Sequence, residues 1–355
     1  MKIVFVISSL AAGGAERVVT TLANRLAKEH NVIVATFSDE EPFYPLAKGV
    51  THRRLHLIRP SRNLWEKTRN TVRRVRKLSV FLKETKPDVA VSFMTQTNLL
   101  AVLAAKTAGV PLVVSERIAY DFHDSGLLNI ARRLLYPLAG ALVTQTRADL
   151  EHYSFVNDAL AIPNPLYMET GRVCETFRDK EKIVLGVGRL EPQKGFDTLI
   201  RAFHRAGRKE WRLIIAGEGS HRAALESLIR ETGAKNIELV GRQKDIFAWY
   251  ARAAIFVLSS RREGFPNVLT EAMACRCAAV SFDCPYGPGE IIDDGRNGLL
   301  LRHRDERALA SALVRLMDNP SLRRSLALEA ARVQETYDAQ RIAKQWEELF
   351  KRVAG

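Results

Sequence analysis

Two separate stretches of this chain pass from an apolar run through a glycine turn into a helical pattern, and that doubling restricts the fold more than any other feature. The first is Lys2 to Ser8, followed by Gly13-Gly14 and a helix from about Ala15 with Val18, Leu22 and Leu26 on its apolar side. The second is Ile183 to Val187, followed by Gly188 and Gly195 and a helix from about Phe196. An unbroken apolar run reads as a parallel strand buried on both faces, and strand, glycine turn and helix together open a βαβ unit. For that reason the apolar start of the chain is read as a first strand rather than as a signal peptide. Two such series in 355 residues predict an α/β protein of two Rossmann-like domains. Further strands are expected at Asn31–Phe37, Val89–Phe93, Val110–Ser115, Trp211–Ala216, Ile237–Val240, Ala254–Leu258, Ala278–Phe282 and Gly295–Leu301. Ala161-Ile162-Pro163-Asn164-Pro165 reads as a linker stiffened by two prolines, dividing the chain into residues 1–164 and 165–334. Ser220 is the expected N-cap of the helix after Gly217-Glu218-Gly219, and Pro320 to Ala354 reads as helical and amphipathic.

Glu263 and Glu271 lie eight positions apart, on either side of a turn and helix start made by Gly264, Phe265, Pro266, Asn267, Val268 and Leu269. The unpaired N–H groups of a helix N-terminus form a ready anion site. Carboxylates flanking such a site suit a ligand with hydroxyls at both ends and phosphates in the middle, which is the shape of a nucleotide sugar. Arg189 and Lys194 stand together on the connection after Val187. A planar multi-donor cation and a compact one on a single strand-to-helix loop make a clamp for a diphosphate. No Asp-x-Asp occurs anywhere in the chain, so a metal is not required for that task and no cofactor is expected. The four cysteines, Cys174, Cys275, Cys277 and Cys284, show neither metal-ligand spacing nor a disulfide framework, which fits a reducing cytoplasm.

The net charge of +14 predicts anionic partners. Twelve Lys/Arg against two Glu fall between Arg53 and Lys86. At about 100° per residue the helix expected from Asn63 to Glu84 puts Arg69, Arg73, Arg76 and Lys77 on one side and Leu64, Val72, Val75, Leu78 and Leu82 on the other. The apolar side should pack on a sheet. The basic side should face solvent as a stripe that repels itself unless an anion binds. A second amphipathic stretch, Gly126 to Leu138, contains Arg132-Arg133 and reads either as a core helix or as one that docks on an anionic membrane surface. No apolar run is long enough to span a bilayer.

Taken in order, Ala12-Gly13-Gly14-Ala15-Glu16-Arg17, Val187-Gly188-Arg189-Leu190-Glu191-Pro192-Gln193-Lys194-Gly195 and the Glu263–Glu271 stretch resemble the glycine loop, diphosphate segment and Glu-x7-Glu motif of the family 4 retaining glycosyltransferases. One Glu-x7-Glu pair arises easily by chance; three motifs in the family's order span the chain. The resemblance implies a GT-B architecture, two facing Rossmann-like domains with a cleft between them, and a final helix, residues 335–355, that returns to the first domain. It implies a nucleotide-sugar co-substrate, with UDP as the expected nucleotide and retention of configuration. Glu263, Arg189 and Lys194 are the expected catalytic groups. Gly13, Gly14, Arg242, Gly264 to Leu269 and Glu271 are expected to hold the donor.

Within the family the resemblance is nearest to the N-acetylgalactosamine transferases of bacterial lipid-linked N-glycan assembly, in which a basic helix holds the diphosphate of a polyprenyl-linked acceptor. Arg69, Arg73 and Arg76 occupy that stretch here. The expected location is therefore cytoplasmic and peripheral on the inner face of the membrane. Many members of the family have a histidine at or near position 117. This chain has Arg117, a contact for donor or acceptor, and His123 six residues on.

Two rival readings stand beside this one. A sugar-nucleotide epimerase of the same fold would leave the basic helix without a task. A basic nucleic-acid-binding or anion-binding protein would use the charge, but no nucleic-acid motif is present and aromatic content is only 8%, so nucleic acid is not an expected partner.

Overall fold

The computed structural model describes residues 1–60, 62–122, 125–168 and 180–355. The chain forms two compact units, Met1–Tyr167 with Tyr337–Gly355, and Met168–Thr336. Each is built on one parallel sheet.

The first sheet contains β1 Lys2–Ile7, β2 Asn31–Thr36, β3 Val50–Arg54, β4 Val89–Phe93, β5 Leu112–Ser115, β6 Ala141–Thr144 and β7 Ala159–Ala161, in the order β3-β2-β1-β4-β5-β6-β7. Strand order reverses between β1 and β4, where Ile3 pairs with Val89 and Phe5 with Val91. Alternation along β1 divides the core: Ile3, Phe5 and Ile7 face one layer, Val4 and Val6 the other. The first layer is α1 (Gly14–Leu26) and the C-terminal helix Ala339–Ala354, whose Trp346 and Phe350 lie against Phe93 and Phe5. The second layer includes α2 (Leu64–Thr85), α3 (Thr95–Ala108) and α4 (Gly126–Leu135).

The second sheet contains β8 Glu181–Val187, β9 Arg212–Ala216, β10 Ile237–Gly241, β11 Ala253–Leu258, β12 Ala278–Phe282 and β13 Leu299–Leu301, ordered β10-β9-β8-β11-β12-β13. Its order reverses between β8 and β11. Ligands of open parallel sheets bind outside the carboxyl ends of the strands at such a reversal, so each unit has one favoured crevice.

Four local expectations are corrected. The proposed linker Ala161–Pro165 belongs to the first unit: Ile162 and Asn164 are buried, and the Ile162 amide donates to Thr144 O at 3.0 Å. Buried backbone groups need partners, and the β6 edge supplies one. Ser220 does not cap a helix; its amide and hydroxyl donate to the Glu191 carboxylate at 3.1 and 2.9 Å, and the following helix has His221 at its N-cap. The C-terminal helical stretch is three helices, Pro320–Ala330, Val333–Thr336 and Ala339–Ala354, of which the first two lie in the second unit.

The apolar side of α2 packs only in its second half. Leu78 and Leu82 are fully buried, whereas Leu64 is 78% and Val72 62% exposed. A 22-residue helix is about 33 Å long, longer than the β-strands it crosses, so its first turns run past the sheet. Asn63 caps that free end, its Oδ1 accepting the Glu66 amide at 2.8 Å, and the Glu66 carboxylate in turn accepts the amide of Arg62, the residue before the cap, at 2.8 Å.

Candidate active site

In the second unit, the loops that leave β8 and β11 flank the strand-order reversal. The first carries Arg189 and Lys194, the second Glu263. They are stitched together through backbone carbonyls: the Arg261 amide donates to Gln193 O at 2.7 Å, the Gln193 side chain Nε2 to Arg262 O at 2.7 Å, and Ser259 Oγ to Lys194 O at 2.9 Å. Gly195, at φ 62°, has no room for a side chain because a β-carbon would collide with Ser259 O. Lys194 Nζ therefore reaches Glu263 Oε1 at 2.5 Å, and Ser260 Oγ donates to the same oxygen at 2.5 Å. Glu263 is 7% exposed, so this is a largely desolvated pair. The Cys284 thiol lies in the same surroundings; burial first, and the Glu263 carboxylate next, push it up to about 12.

The helix Asn267–Ala274 begins where the sequence placed it. Glu271, 1% exposed, accepts the Tyr250 hydroxyl at 3.1 Å on Oε2. Gly264, Phe265 and Pro266 form the turn between, and Gly287 at φ 89° packs its backbone against Pro266 and Gly264. Leu269 points into the core and Asn267 and Val268 are half-buried. Arg189 is exposed and makes no ion pair among the described residues. Arg242 is also exposed, but it follows β10, two strands from β8 and so away from the reversal.

In the first unit, α2 and the end of β3 enclose a cavity of about 530 Å³ lined by Arg54, Leu55, Arg73, Arg76, Lys77, Val80, Phe81 and Glu84. Two members of the expected acceptor triad, Arg73 and Arg76, are in it. Arg69 is not; its guanidinium lies 5.6 Å from the Trp65 ring centroid, nearer the projecting end of the helix. A second cavity of about 370 Å³ opens at the β1/β4 reversal, lined by Ser8, Glu16, Phe37, Ile58, Arg74, Met94, Thr95, Gln96, Thr97, Leu100 and Ile118. Gly13 is the N-cap of α1 and Gly14 its first residue. The Glu16 carboxylate folds back over Gly13, where a β-carbon would collide with it.

Arg117 is held inside the unit. Its Nε donates to Ser115 Oγ at 2.8 Å and Nη1 to Asn164 Oδ1 at 2.8 Å, with the guanidinium 5.6 Å from the Phe93 ring centroid and 5.3 Å from that of Trp346. Burial pushes its pKa down to about 9 against the opposing pull of Glu116, so it is still cationic at neutral pH. Its Nη2 is buried with no partner among the described residues. His123 lies outside the described residues.

Arg132 and Arg133, adjacent on α4, part company in the fold, with Arg132 inside. It is fully buried and pairs with Glu116, also fully buried, at 3.2 Å. Thr95 donates to Glu116 at 2.7 Å and accepts from Arg132 at 2.9 Å, and the Tyr136 hydroxyl donates to Glu116 as well. This network pins α4 to α3 and β5 and leaves Leu127, Ile130, Leu134 and Leu138 exposed by 81, 55, 68 and 49%. Only Arg133 of the pair reaches the surface.

Sequence reasoning passed over Ser260, Tyr250 and Glu16 as parts of these sites. Ser260, three positions before Glu263, was legible. Tyr250 sits on a different helix and reaches Glu271 only through the fold.

Residues 13–163 match the family model described as Glycosyl transferase 4-like domain, and residues 181–319 the one described as Glycosyl transferases group 1. A Campylobacter jejuni protein named GalNAc-alpha-(1->4)-GalNAc-alpha-(1->3)-diNAcBac-PP-undecaprenol alpha-1,4-N-acetyl-D-galactosaminyltransferase is 30% identical, with 99% of each chain covered. The amylovoran biosynthesis glycosyltransferase AmsD of Erwinia amylovora is 27% identical over 98% of this chain and 99% of its own. Among solved structures, Anabaena HepE in complex with UDP superposes with a TM-score of 0.78 at 20% identity, covering 98% of this chain and 99% of that one. A sucrose-phosphate synthase from Thermosynechococcus elongatus gives 0.84 at 18% identity, covering 99% of each chain. The chain belongs to the group 1, 4-like glycosyltransferases and has their GT-B fold.

Proposed function

We propose that this glycosyltransferase moves a hexose or N-acetylhexosamine from a UDP-sugar, with retention of configuration, to a saccharide carried on a polyprenyl diphosphate at the inner face of a bacterial membrane. The observation that carries the acceptor assignment is the α2 cavity. Arg54, Arg73, Arg76 and Lys77 line it with one lining acid, Glu84, beside apolar Leu55, Val80 and Phe81, and Arg54 is also paired with Glu41 at 2.6 Å. Arg73, Arg76 and Lys77 around an apolar floor match a diphosphate with a hydrocarbon attached. The Campylobacter jejuni relative's name gives an undecaprenol-PP saccharide as its acceptor, which supports the same choice.

For the donor, Glu263 receives Lys194 and Ser260 on Oε1, and its Oε2 is suited to hydroxyls of the sugar. Glu271, oriented by Tyr250, is suited to the ribose hydroxyls. Lys194 retains donors beyond the one given to Glu263, and with Arg189 it stabilises charge on the departing diphosphate. The acceptor oxygen bonds to the anomeric carbon on the face from which UDP leaves. The C–O bond to the β-phosphate breaks, UDP keeps the electron pair, and the acceptor proton passes to the leaving phosphate oxygen. Arg117, whose guanidinium lies between Phe93 and Trp346 with Nη2 buried, is given no ligand contact. The exposed apolar stripe of α4 and the basic stripe of α2 are suited to an anionic bilayer surface, where each Lys/Arg adds about 1 kcal/mol.

The test is a donor screen with purified protein and a polyprenyl-diphosphate-linked saccharide in the presence of EDTA, followed by proton NMR of the product's anomeric configuration. UDP release that needs both substrates, with retention, is expected, and the Arg73→Ala/Arg76→Ala double variant should raise the acceptor KM. UDP release with free epimerised sugar and no acceptor would return the epimerase reading. An unchanged acceptor KM in the double variant would remove the α2 cavity from the site.

A further inference from the structure

A cavity of about 430 Å³ lies in the second unit at the amino ends of β9 and β10, between the loops that enter those strands. The Lys194–Glu263 pair lies beyond the carboxyl ends of the same parallel sheet, so the length of a strand, about 17 Å for five residues, separates the two places. The loops around the cavity follow the helices Phe196–Ala206 and Arg222–Thr232. Both helices end on a left-handed glycine, Gly207 at φ 66° and Gly233 at φ 65°. Asn236 Nδ2 donates to Trp211 O at 2.7 Å and the Leu213 amide to Asn236 O at 2.8 Å, which fastens one loop to the other. Phe203, 3% exposed, is the apolar floor. The volume falls within the range of about 300–1,000 Å³ typical of small-molecule sites.

The lining makes two opposite demands on a ligand. Each helix C-terminus presents backbone carbonyls and the negative end of a dipole, which favour cations and O–H donors. Lys209 and Lys235 stand exposed at the rim, make no ion pair among the described residues, and favour an anion. His204 beside them adds a ring N–H. Arg208 is committed elsewhere: it grips Asp318 through Nε at 2.8 Å and Nη2 at 2.5 Å, and donates to Ala206 O at 3.2 Å. Among the described residues no carboxylate lines the cavity. A bare phosphate would suit the lysines but bring like charge to the helix ends. A neutral sugar would suit the helix ends and leave the lysines without an anion. A phosphate carried on a sugar meets both demands, with phosphate oxygens for the ammonium groups, hydroxyls for the carbonyls and an aliphatic ring face for Phe203.

We propose that this cavity binds a sugar phosphate, with Lys209 and Lys235 on the phosphate and the two helix C-termini accepting the sugar hydroxyls. The site is separate from the donor crevice and does not depend on which sugar the enzyme transfers or to what acceptor.

The experiment titrates glucose 6-phosphate into the full chain by calorimetry, with UDP in excess to fill the donor crevice. Inorganic phosphate and methyl glucoside are titrated in parallel, and the Arg73→Ala/Arg76→Ala variant takes the α2 cations out of competition. Wild type and that variant are expected to bind glucose 6-phosphate alike, and more tightly than either half-ligand. Lys209→Ala/Lys235→Ala should bind it about ten- to hundredfold more weakly, the range for losing a hydrogen bond to a charged group, while Lys209→Arg/Lys235→Arg keeps most of the affinity. Both lysines are exposed, so the variants should fold as wild type does, which circular dichroism checks. Sugar transfer by the double alanine variant without glucose 6-phosphate should match wild type.

No binding of glucose 6-phosphate by wild type, or equal binding by the double alanine variant, would overturn the proposal. Loss of binding in the Arg73→Ala/Arg76→Ala variant would overturn it by assigning the ligand to the α2 cavity. Inorganic phosphate bound as tightly as glucose 6-phosphate would overturn the sugar-phosphate assignment by showing that the hydroxyls are not read.

Discussion

Lys194 and Glu263, 69 positions apart in the chain, meet at 2.5 Å across the β8/β11 strand-order reversal of the second unit. They come from different loops, and the hydrogen bonds between those loops hold the pair in register. A cation and a carboxylate fixed in this way need little reorganisation to meet a charge or hydroxyl brought between them.

Replacing Lys194 or Glu263 with alanine is expected to lower kcat by about 10²–10³, or about 3–4 kcal/mol. Steady-state turnover with a UDP-sugar and lipid acceptor measures it. Because the two side chains share one bond, the double variant should cost less than the sum of the singles. Near-normal turnover by either single variant would contradict the catalytic assignment.

Arg132 and Glu116 are both fully buried, so breaking the pair from one side strands the other charge. Arg132→Met should destabilise the first unit by about 3–5 kcal/mol, and adding Glu116→Leu should recover much of that loss. Urea unfolding followed by hydrogen exchange in the first unit tests the order. A single variant more stable than the double would be inconsistent with this account.

Asp149, 3% exposed, accepts the Tyr120 amide at 2.8 Å, and burial raises its pKa to about 7. Since the unfolded value is about 3.9, the folded state holds the proton through a window in which the unfolded state has lost it. Its contribution to stability is therefore fully present below about pH 4, falls by up to about 1.4 kcal/mol per pH unit as pH rises toward 7, and levels off above. Asn at this position keeps the Oδ1 acceptor and removes the titration. The stability difference between Asp149→Asn and wild type should grow in favour of the variant from pH 4 to pH 7, read from denaturant melts at each pH. A constant difference would place the Asp149 pKa in the ordinary carboxylate range.

On α4, Leu127 and Leu134 stand one face apart from the buried Arg132. Burying a leucine is worth about 1.5–3 kcal/mol, so replacing both with serine should weaken binding to anionic vesicles by at least about tenfold. Flotation with phosphatidylglycerol vesicles at low and high salt gives the readout, and salt should weaken wild type through the α2 cations. Equal flotation by the variant would point the stripe toward a protein partner instead.

The class of fold was legible because its signals are local. Apolar runs at Lys2–Ser8 and Ile183–Val187, glycine turns after them and a helix starting at Asn267 depend only on neighbours in sequence, and the parallel sheets bear out the first two. Family membership followed from motifs in order. Adjacent charges were a different matter. Nothing near Arg132-Arg133 says which guanidinium goes inside; that is decided by Glu116, sixteen residues earlier, and by Thr95 and Tyr136 around it. The burial of Leu78 and exposure of Leu64 on one helical face likewise depend on where the sheet stops beneath α2. Periodicity reports which residues share a face, but whether that face meets a core, a ligand or solvent is set by elements distant in sequence. The seat of Glu16 over Gly13 shows the same limit at the smallest scale: the glycine turn was plain in the sequence, and the carboxylate folded over it was not.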